Sequence, residues 1–182
     1  MLTLPPAVAA VLSIALVALG GGPAAQVAAV DTVALAAGLT TAAALGGEQM
    51  IELQLTVRTP YPLTVARRVA LVVASASCAV LLIALLGSPV VRDSAGALLV
   101  GNMVFALALI SIATYVIVEF RSTAGASAIV TTAWLTKSLI LDQVARAVPV
   151  QAAILLAISA LCAWPAALRV ADSEAQLRGA RG

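Results

Sequence analysis

"ELQLTVRTPYPLTVARR", residues 52–68, holds four charged residues (Glu52, Arg58, Arg67, Arg68), two prolines and a tyrosine. On both sides of it the chain is built mainly of Ala, Leu, Val and Ile. This contrast decides the fold. Over 182 residues the composition is 63% hydrophobic and 10% charged, with a mean hydropathy of +1.12. A soluble domain carries about 25% charged residues. A soluble fold of this size keeps much of its surface in water and cannot hide so much apolar side chain. The solvent that suits this chain is lipid.

Outward from the polar stretch, the apolar runs have the length of membrane-spanning helices, about 20 residues. Two precede it, 4–21 and 27–46, and four follow it, 64–86, 95–118, 123–141 and 149–168. The expected fold class is an all-α integral membrane domain of six transmembrane helices filling residues 1–182, with a tail at 169–182. The breaks have physical causes. Gly20-Gly21-Gly22-Pro23 and Gly87-Ser88-Pro89 end spans, because Gly weakens a helix and Pro lacks the N–H. Glu119-Phe120-Arg121 is a short polar break, and Pro149 suits the first turn of the last span. The first run is expected to be retained rather than cleaved as a signal, since no positively charged segment precedes it.

Orientation follows from the basic residues. With the N-terminus in the cytoplasm, Arg58, Arg67, Arg68, Arg121, Arg169, Arg178 and Arg181 lie inside, and Arg92, Lys137 and Arg146 outside. That asymmetry satisfies the positive-inside rule and puts both termini in the cytoplasm of a multi-pass cell-membrane protein. Lys137 is expected to snorkel to the outer interface, and Asp31 to be an interfacial carboxylate. Asn102, Thr131, Thr132 and Thr136 are expected to hydrogen-bond between helices. Gly38 is expected at a close helix contact, and Tyr115, Trp134 and Trp164 at the membrane interfaces. Cys78 and Cys162 read as small buried hydrophobes.

The segment 47–63, between the second and third spans, is then cytoplasmic. Glu48 and Glu52 are four apart and share one helix face. Met50, Leu53 and Val57 fall on another face, the pattern of a short helix lying at the membrane surface. Thr59-Pro60-Tyr61-Pro62 stops it, and Arg67 and Arg68 anchor the start of the third span.

"GEQMIELQLTVRTPYPLTVARRV", residues 47–69, resembles the cytoplasmic segment between the second and third helices of type-2 ABC exporter permeases. The matching positions are Glu48, Glu52-Leu53, Leu55, Thr59-Pro60, Pro62 and Arg67 or Arg68. The six-span plan with both termini inside is also that family's plan. The resemblance implies an ATPase-coupling role for Glu48, Glu52, Arg58, Thr59 and Pro60. It further implies an ABC ATPase partner and a second permease copy or a related permease subunit. Departures are the short region before the first span and the short link 142–148, where the family has re-entrant helices.

The chain's own chemistry is restricted. There is no histidine, which removes His-dependent catalysis and His metal ligation. There is no G-x-x-x-x-G-K-[ST] loop, so ATP and Mg are expected on the partner subunit, with no cofactor, metal or catalytic residue here. The net charge of +2, without a basic patch interleaved with aromatics, gives no footprint for nucleic acid. Two functions from different classes remain. One is a permease moving an amphipathic or lipid-like substrate; the other is a non-transporting scaffold or accessory subunit of a larger membrane complex.

Overall fold

A computed structural model of the chain describes residues 23–46, 61–86, 95–144 and 147–179. The described residues are almost entirely helical, in the order α1 (Pro23–Gly46), α2 (Tyr61–Leu86), α3 (Ala95–Phe120), α4 (Thr123–Thr136), a π-helical stretch (Lys137–Leu141), α5 (Asp142–Val144) and α6 (Val148–Gly179). The expected first span and residues 47–60 lie outside the described residues. So do the side chains of Glu48, Glu52, Arg58, Thr59 and Pro60.

Among the described residues, four stretches are long and apolar enough to cross a membrane: Leu63–Leu82, Val100–Phe120, Thr123–Val144 and Val148–Val170. Where its side chains are described, α1 is apolar over Asp31–Gly46. A lipid environment forces this helical solution, because each backbone N–H and C=O must be satisfied within its own segment. Several helices run past the apolar runs. In particular, α6 stays helical through the expected tail as far as Gly179. The sequence there, "RVADSEAQLRG", is mostly of residues with good helix propensity.

The central element is α3, which packs against α1, α2, α4 and α6. Its Phe105 and Leu109 are fully buried, together with Val33 of α1, Val72 of α2 and Val130 of α4. Much of the remaining core is alanine: Ala34, Ala42, Ala106, Ala113 and Ala126. Small residues let helix backbones approach where lipid supplies no hydrophobic drive for association. The tightest point is Gly38. A Cβ there would lie 2.8 Å from Val130 Cγ1 and 3.0 Å from Leu109 Cβ, so α1, α3 and α4 meet at that glycine.

The connection from α3 to α4 is only Arg121-Ser122. Arg121 closes α3 in the left-handed region, at φ 51°, and its N–H bonds Ile117 O at 2.9 Å. Ser122 then caps α4 by accepting the Gly125 N–H at 3.0 Å. A turn this tight makes α3 and α4 antiparallel neighbours. The same end of the bundle holds the end of α1 and the start of α2, since Arg68 Nη1 donates to Ala44 O at 2.8 Å. It also holds the later part of α6, where Arg169 pairs with Glu119 at 3.1 Å.

Several polar side chains behave differently from the sequence expectation. Thr131, Thr132 and Thr136 do not bridge helices. Each hydroxyl donates to the carbonyl four residues earlier on its own helix, at 2.8 to 2.9 Å. A threonine in lipid reaches that carbonyl without any partner helix. Cys78 is exposed and Cys162 half-buried, so both stand on the outer surface of the bundle rather than in its core. Between helices, Ser111 and Ser159 hydroxyls lie 3.3 Å apart and tie α3 to α6.

Candidate functional site

The distinctive site grows from one local irregularity. At Lys137 the helix loosens from α to π geometry for five residues, Lys137–Leu141. In an α-helix, residues five apart point about 140° away from each other. A π turn closes its hydrogen bonds over five residues, so Lys137 and Asp142 come to one side. Lys137 Nζ lies 3.1 Å from Asp142 Oδ2 and 2.5 Å from Asp31 Oδ2 of α1. The result is an ion triad that joins α1 to the π stretch.

Neighbouring groups hold each member. Trp134, one turn before Lys137, donates its indole N–H to Asp31 O at 3.2 Å. The Phe105 ring of α3 lies 5.2 Å from Lys137 Nζ, a cation–π distance. Gln151 of α6 donates to Asp142 Oδ1 at 3.2 Å. Four packed parts of the bundle thus converge on one point. The Lys137 and Asp31 side chains are 11% and 9% exposed, while Asp142 is 29% exposed.

Depth follows from position. Lys137 is seven residues inside Val144, the end of its apolar stretch, which is about 10 Å at the helical rise. The Lys137 and Asp31 side chains are buried against each other rather than exposed at the surface. Each turns inward because the other satisfies it, whereas an isolated charge there would seek water. Trp134 and Tyr115 likewise pack on the core cluster rather than standing out as anchors, while Trp164 is exposed.

Asn102 belongs to the same layer by register. Gly38 faces Leu109 and Val130. Seven residues are two turns and return the same face of a helix. Seven before Gly38 is Asp31, seven before Leu109 is Asn102, and seven after Val130 is Lys137. Since α1 runs parallel to α3 and antiparallel to α4, all three steps lead the same way, and the Asp31–Lys137 contact shows this register for α1 and α4. Asn102 is 4% exposed, and neither its Oδ1 nor its Nδ2 has a hydrogen-bond partner among the described residues.

At the opposite end, Arg67 is exposed and Arg68 half-buried against α1. Of the positions expected to form a functional segment, only these two are described as side chains, and they lie far from the triad. Sequence reasoning did not join Asp31, Lys137 and Asp142. The available signal was the presence of charges within apolar runs, which are costly there and usually paired. Comparisons of the chain with family models, with curated proteins and with solved structures gave no match.

Proposed function

We propose that the chain is the transmembrane permease subunit of an ATP-driven exporter, moving an amphipathic or lipid-like substrate, with ATP hydrolysis on a separate ABC ATPase. The observation that carries this reading is where the helices flanking residues 47–60 end. Gly46 and Tyr61 both lie at the bundle end that gathers Arg67, Arg68, Arg121 and Arg169. The positive-inside rule makes that end cytoplasmic, which is the side where an ATPase works. On this reading Glu48 and Glu52 face the ATPase, Arg58, Thr59 and Pro60 complete the coupling segment, and Arg67 and Arg68 anchor the following span. The fold then has six spans with both termini in the cytoplasm of the cell membrane. A second copy or a related permease subunit completes the substrate path.

The exposed apolar face of α6, with Ala157, Ala160, Leu161, Trp164 and Pro165 around a shallow groove, favours a second reading, an accessory subunit that only packs against other membrane chains. The two readings differ on the coupling segment. In the permease, Glu48→Lys with Glu52→Lys weakens co-purification of an ABC ATPase subunit, or uncouples hydrolysis from substrate. Membrane insertion stays intact. If association and substrate-stimulated hydrolysis are both unchanged, the coupling role is wrong.

A further inference from the structure

We propose that Asp31, Asn102, Lys137 and Asp142 form a binding site for one small monovalent cation, sodium or a proton, taken up in addition to the lysine ammonium. The charge balance asks for it. With all groups ionised, two carboxylates and one ammonium sum to −1, and the Lys137 and Asp31 side chains are almost entirely buried. A net buried charge is unfavourable unless paired. Within the described residues no other charge reaches this layer. The charges of α2 (Arg67, Arg68), α3 (Glu119) and the membrane-spanning part of α6 (Arg169) are all at the opposite end, and Cys78 of α2 is exposed on the outer surface.

Asn102 points to the same conclusion independently. A buried amide with neither donor nor acceptor used is unfavourable, and the register sets it in the same layer as Asp31. Its carbonyl oxygen and the carboxylate oxygens of Asp31 and Asp142 are hard donors, suited to a hard cation. Each carboxylate oxygen has a second lone pair beyond the one that Lys137 or Gln151 engages. Access runs past Asp142, the member of the triad most exposed to the surroundings. The site needs no ATPase and stands apart from the permease reading.

The test uses the purified chain in lipid nanodiscs, with thermal unfolding followed in two series. In the first, N-methylglucamine chloride is replaced by NaCl at constant ionic strength and pH. In the second, pH is varied in N-methylglucamine alone. The wild-type chain should gain Tm with sodium, or with acidification alone if the cation is a proton. Asn102→Leu should weaken the apparent affinity at least tenfold for sodium, and Asp31→Asn should abolish either response. Asn102→Leu removes an unpaired amide, so in cation-free medium it should melt at or above the wild type. This separates loss of a ligand from loss of fold. A wild-type Tm insensitive to both series, or a response that survives both substitutions, overturns the site.

Discussion

At the scale of single residues, one glycine and one lysine carry most of the constraint. Gly38 lets three helices meet, and any side chain there collides with Val130 and with Leu109 close to its backbone. A glycine in a helix interior costs about 1 kcal/mol relative to alanine, but overpacking costs roughly 1–3 kcal/mol. The clash wins because Leu109 Cβ cannot rotate away. Gly38→Ala should therefore lower stability, and Val130→Ala in the same chain should restore part of the loss, read from thermal unfolding of single and double variants. Gly101→Ala is the control, since nothing beyond its own helix backbone lies within 4 Å of the added carbon, and it should cause no loss. For Lys137 the sign rests on what is left behind. Lys137→Met strands Asp31 without its partner and should cost about 3–5 kcal/mol. Adding Asp31→Asn removes the stranded charge and should recover more than half of that, measured by chemical denaturation of the double variant against each single one.

At the scale of an element, the π stretch is one residue more than an α-helix needs to pair Lys137 with Asp142. Deleting Ser138 would make the two residues i and i+4, still on one face. Inserting an alanine after Ser138 would make them i and i+6, about 120° apart around a regular helix. The deletion should keep the pair. The insertion should break it and cost about 1 kcal/mol, as a partly exposed ion pair is modest. That corresponds to a Tm lower by about 2–4 °C for a chain of this length. Equal Tm values for the two variants would mean that the π geometry has no part in the pairing. The start of α4 has its own requirement: Ser122→Ala loses the side-chain acceptor for the Gly125 N–H and should cost about 1 kcal/mol.

At the scale of the whole molecule, charge is sorted by end. Arg67, Arg68, Arg121 and Arg169 gather at one end and the triad lies toward the other. Orientation is tested in a chain whose Cys78 and Cys162 are replaced by alanine. Val144 and Phe120 are exposed at opposite ends. In sealed cells a membrane-impermeant thiol reagent should reach Val144→Cys, and Phe120→Cys only after permeabilisation. The reverse pattern would invert the proposed topology.

Much of this architecture follows from local chemistry. Apolar runs of about 20 residues require helices in lipid, and the expected runs at 27–46, 64–86, 95–118, 123–141 and 149–168 fall within helices or the π-interrupted rod. Gly38 was legible as a contact point, because a small residue amid a long apolar helix has few other uses. The ends were less legible, as with α6 beyond residue 168, since helix propensity continues after hydrophobicity stops. The ion triad was decided only by tertiary structure. Asp31 and Lys137 are 106 residues apart, and whether a charge in an apolar run snorkels or turns inward rests on a partner at the same depth. That depth was set by the register of α1, α3 and α4 through Gly38, Leu109 and Val130, and the side was set by a π turn. Both arise from packing between helices, which periodicity within one helix does not encode.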